Sequence, residues 1–277
     1  MSNEDMRSHS KETYTTLESN GITLSDLARA PYERGRIVLF ILLLTFNAGW
    51  IDILAYLILG HVFASFLTGN ILFVGLALAQ GDQGWLISAI TVIVLSFLAI
   101  SLGTFLIERT PPRQTERAWH ITLICPLLIE WLLLLAFAIV WHLRESALGQ
   151  SEVQILLLAL AALGMGIQGA VVEVFNYPGV VANALTGTVL VLGQRLAHDL
   201  LYPGSERGKW KWRNMYRVVM LLTYVVGALI VASISVFRPV VPLIIVTIAI
   251  LVVLAPPRRN MRKIPTASPP HPSRYAT

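Results

Sequence analysis

Six apolar stretches, each near the length that a helix needs to cross a lipid bilayer, constrain this chain more than any other feature of its sequence. About 20 helical residues span a hydrocarbon core. Only 13% of the 277 residues are charged, whereas about a quarter are charged in soluble domains. The sequence therefore predicts an all-α, polytopic helical membrane protein and excludes a soluble globular one. The six stretches are residues 37–59, 85–107, 120–141, 153–175, 215–236 and the shorter 240–254.

Two further apolar runs, residues 63–79 and 180–197, are shorter and contain Thr, Gly, Asn or Arg. Polar interruptions at membrane depth are tolerated where the backbone is buried in protein or lines a cavity. We therefore predict two short broken or re-entrant helices in addition to about six spans.

The Lys and Arg residues indicate how the helices are oriented, because cytoplasmic loops carry an excess of them. With six spans and both short runs re-entrant, 19 of the 21 Lys and Arg residues lie on the side of the two termini, and with eight spans 17 do. Six spans are favoured over eight, which stays open as the alternative. Both arrangements predict an integral multi-pass protein with two cytoplasmic termini, and neither indicates which membrane holds it.

Composition divides the chain into three regions. Residues 1–35 are polar and predict a disordered cytoplasmic tail, in which residues 23–29 either form one capped turn or stay without structure. Residues 36–255 form the predicted transmembrane domain. Residues 256–277 are basic and rich in proline, so we expect a disordered tail close to anionic lipid headgroups.

The transmembrane region contains an apparent internal repeat. If each half contributes three spans, the repeat is inverted, as in many secondary transporters, and if each contributes four it is parallel. We predict a 3+3 inverted repeat with halves of about 36–142 and 152–255. Asn47, Asp52 and Tyr56 match Gln168, Glu173 and Tyr177 at an offset of 121, and Leu-Thr-Gly follows in both halves, at 67–69 and 185–187.

Several short motifs also resemble those of one family. They are Gly-Trp-Ile-Asp at 49–52, Phe63 followed by Leu-Thr-Gly-Asn at 67–70, and Gly-Met-Gly-Ile-Gln at 164–168. Together they resemble the YoaK-like membrane proteins catalogued as domain of unknown function 1275, over residues 36–255. The resemblance implies a polytopic protein of about six spans, found in bacteria and fungi, with no established activity.

Asp52 is the first candidate functional residue, because it lies well inside a predicted span. An ionised carboxylate there costs about 3 kcal/mol or more unless it is paired or neutralised. A carboxylate that is neutral in one conformation and charged in another is what coupling to protons or cations needs. Tyr56 lies one turn further along the same helical face and is predicted to hydrogen-bond the acid. The alternative is a structural aspartate that is permanently capped by a neighbouring hydroxyl.

Two other acids lie in predicted spans. Glu173 corresponds to Asp52 in the repeat but lies near the end of its span, so it is either a site residue or an interfacial carboxylate. Glu130 has no counterpart and lies in a strongly apolar helix, where a lone acid is protonated or faces a lumen or another subunit. For Glu130 we weigh a proton relay against a structural or oligomeric role.

The elements Thr68-Gly69-Asn70 and Thr186-Gly187-Thr188 interrupt the two short runs. Glycine bends or breaks a helix, and the flanking hydroxyl and amide groups then satisfy the freed backbone or bind a ligand. The alternative is close helix packing through small residues. Because each broken helix must be shielded from lipid, we expect the two elements to meet at the centre of the molecule.

Other apparent motifs do not indicate chemistry. The sequence at 164–169 fits G-x-G-x-x-G but follows an apolar helix, so these glycines are assigned to helix packing rather than to nucleotide binding. The single cysteine and the scattered histidines predict no metal site. The basic and aromatic residues 209–213 precede a span and indicate an interfacial anchor rather than nucleic-acid binding. No nucleophile and base are paired, so we predict neither an enzyme nor a cofactor.

The function predicted from the sequence is a secondary transporter or channel-like carrier of a small polar solute, with proton coupling as an option. The alternative is a non-transporting membrane scaffold or assembly partner, and an intramembrane enzyme is third. The expected partners are the lipid bilayer, the solute or a proton and, as an option, further copies of the chain. The predicted substrate- or ion-binding residues are Asn47, Asp52, Tyr56, Thr68, Gly69, Asn70, Gln168, Glu173, Thr186, Gly187 and Thr188.

Overall fold

The computed structural model describes residues 31–109, 118–173, 185–201, 207–233 and 239–255. Across these ranges the chain forms eight α-helices and one 3-10 turn, Glu145–Ala147, and no strand. The helices are α1 (Pro31–Ile58), α2 (Leu67–Gln80), α3 (Gln83–Glu108), α4 (Ala118–Leu143), α5 (Ser151–Glu173), α6 (Leu185–Leu201), α7 (Arg207–Ser233) and α8 (Val240–Leu254).

Five of these helices, α1, α3, α4, α5 and α7, are long and apolar enough to cross a membrane. The prediction of a polytopic helical membrane protein is confirmed. The sixth predicted span, α8, has 15 residues, which rise about 22 Å and fall short of a hydrocarbon core of about 30 Å. The two interrupted runs form the short helices α2 and α6, of 14 and 17 residues.

The first helix starts earlier in the chain than the first predicted span, which begins at residue 37. Helix α1 begins at Pro31, within the predicted N-terminal tail, because proline is well suited to the first turn of a helix. Residues 1–30, the C-terminal tail 256–277 and the loop around Arg113 lie outside the described residues.

Helices α1 and α5 form the centre of the bundle. Two-thirds of the residues in the most apolar part of each helix are buried, whereas a fifth to a third are buried in the corresponding parts of α3, α4 and α7. Helix α1 packs against α7 and α8, and α5 packs against α3 and α4, while α1 also contacts α5 and α4 contacts α8. The apolar core therefore lies along the two central helices.

The two central helices run antiparallel. Near the middle of α1, the Nδ2 of Asn47 donates a 3.0 Å hydrogen bond to the Oε1 of Gln168, which lies five residues before the end of α5. At the far end of α1, the carbonyl of Ile58 accepts a 3.0 Å bond from the Nε2 of Gln154, near the start of α5. From the first contact to the second, the residue number increases along α1 and decreases along α5, so the two helices point in opposite directions.

Helices α1 and α7 run in the same direction. Near the start of both helices, Tyr216 donates to the carbonyl of Val38 at 3.5 Å. Further along both helices, Tyr224 donates to Asp52 at 2.6 Å. The backbones come so close that a Cβ at Gly49 would collide with the carbonyl oxygen of Tyr224. Glycine at this position permits the crossing.

The first and last helices meet at one end of the bundle. The guanidinium of Arg36, near the start of α1, donates to the carbonyls of Val252, Val253 and Ala255 at 2.6, 3.1 and 2.7 Å. These carbonyls belong to the end of α8, where backbone acceptors lack helical partners. The start of α1 and the end of α8 therefore lie side by side.

Candidate solute-binding site

A hairpin formed by residues 59–82 turns back along α1. The chain leaves α1 through Gly60 and His61, whose φ angles are +118° and +57°, a region that favours glycine and is uncommon for other residues. It returns until Ser65 reaches Asp52, two turns before the end of α1. Helix α2 then runs back outward, so that the indole of Trp85, in the first turn of α3, donates to the carbonyl of His61 at 3.2 Å.

The tip of this hairpin is held by Asp52, which is completely buried. Its Oδ1 accepts a 2.6 Å bond from the backbone N–H of Ser65, and its Oδ2 accepts 2.6 Å bonds from the hydroxyls of Ser65 and Tyr224. One carboxylate thus joins α1, the hairpin tip and α7. The three donors favour its ionised form, whereas its burial favours the neutral form.

The predicted hydrogen bond between Tyr56 and Asp52 is wrong, because the phenol that reaches the acid belongs to Tyr224. The returning segment of the hairpin lies beside Tyr56, whose ring stacks on Phe63 with 5.3 Å between centroids. Tyr56 is therefore part of an aromatic cluster at the outer end of the hairpin and is 36% exposed.

Asn70 closes the hairpin. Its Oδ1 accepts from the backbone N–H of Phe63 at 2.9 Å, and its Nδ2 donates to the carbonyl of the same residue at 2.6 Å. Gly69 lies under the rings of Phe63 and Phe66, where a Cβ would come within 2.6 Å of a ring carbon of Phe66. Both residues have a local structural role in the hairpin, and their contact with a solute stays a prediction.

The buried amides of Asn47 and Gln168 form a second polar contact, between the two central helices. Gln168 also donates from Nε2 to the carbonyl of Leu44 at 3.0 Å. The Oδ1 of Asn47 has no hydrogen-bond partner among the described residues. The two amides that the repeat predicted to correspond therefore contact each other.

A cavity of about 390 Å³ lies beside the hairpin tip, between α2, α3 and α5. Two predicted site residues, Thr68 and Glu173, line it, and Ser65 connects it to Asp52. Ser65, Ser96 and Thr104 also line it and are not predicted from the sequence, because isolated Ser and Thr residues in and between apolar helices are common. The lining is Ala64, Ser65, Leu67, Thr68, Ser96, Ile100, Thr104, Met165, Gly166, Gly169, Ala170 and Glu173.

The second Thr-Gly element does not reach this cavity. Gly187 is exposed, with open space where a Cβ would lie, and Thr188 is buried. The side chain of Thr186 lies outside what the structure describes. Helix α2 packs on α3, whereas α6 packs on α7. The exposed Gly187 therefore disagrees with the expectation that the two Thr-Gly elements meet at the centre of the molecule, because open space and not the first element lies where its Cβ would be.

The bundle and its returning hairpin define a class: a polytopic helical membrane protein with a buried acid at the tip of a short, inward-reaching segment. The chain belongs to the family described as "Protein of unknown function (DUF1275)", whose model matches residues 40–255.

A curated relative is also described as a transmembrane protein. The chain is 27% identical over 190 residues to the UPF0700 transmembrane protein YoaK of Bacillus subtilis (strain 168), a match that covers 69% of this chain and 80% of the relative. No solved structure matches the chain.

Proposed function

We propose that the protein is a secondary carrier of a small polar solute and that the cavity beside the hairpin tip is its binding site. The cavity carries this proposal. Its volume of about 390 Å³ lies within the range of about 300–1,000 Å³ that small-molecule pockets occupy. Four hydroxyl groups, from Ser65, Thr68, Ser96 and Thr104, line it among apolar side chains.

The charges around the cavity favour a neutral or cationic solute. Glu173 is the one charged residue in its described lining. Asp52 lies directly behind Ser65, whose hydroxyl bonds to the acid while Ser65 also contributes to the cavity wall. Two carboxyl groups without an adjoining Lys or Arg in that lining disfavour an anion.

An inverted repeat would provide this carrier with two alternative conformations. Asn47 and Gln168 hold corresponding positions in the proposed halves and hydrogen-bond each other, as residues next to a two-fold axis do. The corresponding helices α1 and α5 are antiparallel, which is the relation that an inverted repeat requires. In a 3+3 repeat α1 corresponds to α5, and α3 corresponds to α7. The packing of α1 on α7 therefore corresponds to the packing of α5 on α3, and both contacts are present.

The helix directions support six passes, with α2 and α6 as re-entrant segments. The hairpin 59–82 begins and ends at the same end of α1, so it adds no crossing. The contact of Arg36 with the end of α8 favours two termini on one side. In this arrangement the side that holds 19 of the 21 Lys and Arg residues is cytoplasmic.

Proton coupling, the finer part of the proposal, is assigned to Asp52. The hairpin tip provides two of its three donors, the N–H and the hydroxyl of Ser65, so an outward movement of the hairpin would remove two of the contacts that favour the ionised carboxylate and leave the bond from Tyr224. Proton uptake by Asp52 would then accompany the movement that opens the cavity.

The test is solute uptake into proteoliposomes that contain the purified protein, with panels of neutral polyols, amino acids, amines and organic anions. Thr68→Val removes a cavity hydroxyl with little change of shape and should reduce uptake of the transported solute. Thr223→Val is the matched control, because Thr223 is half-buried on α7, away from the lining of the cavity, and bonds to its own helix at Val219. Equal uptake by both variants, or uptake of no solute by the wild type, would count against the carrier.

A membrane scaffold is the second candidate, and the internal use of the polar groups favours it. Asn70 bonds to the backbone of its own hairpin, and Asp52 bonds to Ser65 and Tyr224. A scaffold predicts that Asp52→Asn weakens folding without changing the movement of any solute.

A further inference from the structure

Glu130 lies on the buried face of α4. The completely buried residues of this helix recur at spacings of three and four, a pattern that marks one helix face. Glu130 continues the pattern between apolar neighbours and is itself 0% exposed. It therefore occupies a position that an apolar residue holds at every neighbouring turn. The completely buried apolar positions are Leu123, Leu127, Leu134 and Phe137.

Neither carboxyl oxygen of Glu130 has a hydrogen-bond partner in the described part of the chain. The adjacent Trp131 does have one, since its indole donates to the hydroxyl of Thr247 on α8 at 2.9 Å. The contrast with Asp52 is direct, because that acid accepts three bonds. Without a donor or a cation, a buried carboxyl group is stable only in its protonated form.

No charged side chain of the packed helices faces Glu130 in the described ranges. Helices α3, α5 and α8 pack against α4. The acids of α3 and α5 are Glu108, Glu152 and Glu173, all exposed and all at helix ends. Helix α8 contains no ionisable residue. Nothing described on these helices can balance a negative charge at Glu130.

The register of α4 on α5 places Glu130 near the pair of buried amides. Leu134 contacts the position of Gly164, at 3.7 Å from the place of a Cβ. Because the two helices are joined by a short turn and run antiparallel, one turn back along α4 corresponds to one turn forward along α5. Glu130 therefore lies at the level of Gln168, whose partner Asn47 has an unpaired Oδ1.

We propose that Glu130 is a proton-binding site in the interior of the bundle. The carboxyl group holds its proton in the conformation described here. It releases the proton when a movement of α4 against α5 or α8 admits water or brings an acceptor to the carboxyl group. The inference does not depend on solute transport, and its ligand is the proton alone.

Infrared spectroscopy tests the proposal on the full-length protein in lipid, without any solute. A protonated carboxylic acid has a carbonyl absorption that the carboxylate lacks, and exchange of the proton for deuterium shifts it. We expect this band at neutral pH in the wild type and a slow, complete shift in D2O. E130Q should lose the band. E152Q is the matched control, because Glu152 is exposed at the start of α5, and it should keep the band.

Two results would overturn the proposal. If the band is unchanged in E130Q, Glu130 is not protonated. If E130Q removes the band but D2O never shifts it, the proton is a fixed structural element and the site does not exchange. Should E130Q fail to fold, the wild type with isotope-labelled glutamate provides the test. Glu130 is the one buried glutamate among the described residues, so the band must move with the label if it belongs to Glu130. A band that stays belongs to an aspartate such as Asp52, and this result would overturn the proposal.

Discussion

Asn47 and Gln168 hydrogen-bond each other through their side-chain amides although 121 residues separate them in the chain. This separation equals the offset of 121 that the proposed repeat assigns to the first part of its two halves. Residues that correspond under a two-fold operation and also touch must lie next to the axis. If the halves are a repeat, this buried pair therefore marks the place about which one half rotates onto the other.

The first prediction concerns the strength of this pair. Asn47→Leu and Gln168→Leu should each destabilise the protein, because each leaves a buried amide without its partner. A double-mutant cycle measured by reversible unfolding should give a coupling energy of about 1 kcal/mol. The pair Ser101→Ala and Thr223→Val, which bond only to their own helices, is the control and should show no coupling.

The second prediction concerns Asp52. Asp52→Asn keeps the size of the side chain but removes the titratable group, so it should abolish any proton-coupled uptake while the protein stays folded. Tyr224→Phe removes only one of the three donors and should retain uptake with an altered pH dependence. Uptake and its pH profile are measured in proteoliposomes with an imposed pH gradient. Identical profiles in Asp52→Asn and the wild type would end the coupling hypothesis.

The third prediction separates the two Thr-Gly elements. Gly69→Leu places a side chain against the rings of Phe63 and Phe66 and should cost about 1–3 kcal/mol through overpacking. Gly187→Leu meets open space and should be neutral or slightly stabilising, because leucine favours a helix by about 1 kcal/mol over glycine. The melting temperatures of the two variants give the comparison, and equal losses would contradict the structure.

The fourth prediction concerns topology. In a background in which the exposed Cys125 is replaced by alanine, cysteines are introduced at Gln80, which precedes α3 in the chain, and at Gln114, which follows it. An impermeant thiol reagent added to intact cells should label Gln80→Cys and leave Gln114→Cys unlabelled. Labelling at Gln114 would favour eight spans and a parallel repeat.

The length of the apolar stretches predicts most of the helices, and an acid inside one of these stretches predicts the buried Asp52. The offset of 121 draws attention to the two amides. The partners of Asp52 were not predictable in this way. Tyr224 lies 172 residues from the acid, and a tyrosine near a span is unremarkable in sequence. A shared helical face predicts Tyr56 as the hydrogen-bond partner of Asp52, but the returning hairpin lies along that face and Phe63 stacks on Tyr56.

The site was predicted less completely than the fold, because a cavity depends on how helices lie against each other. Thr68 and Glu173, which are predicted site residues, line the cavity, and Ser96 and Thr104 join them only through the packing of α3 on α5. Repeat symmetry in the sequence also suggested equal surroundings for Gly69 and Gly187. The structure encloses the first and leaves the second open.

The contact of Arg36 with the carbonyls at the end of α8 has a consequence for the order of assembly. The guanidinium is synthesised more than 200 residues before these three carbonyls, so α1 enters the membrane before these acceptors exist. Arrival of the last helix supplies them. The final turn of α8 thereby stabilises the position of the start of α1. Removal of residues 252–255 should weaken the packing of this part of α1 although every other helix remains.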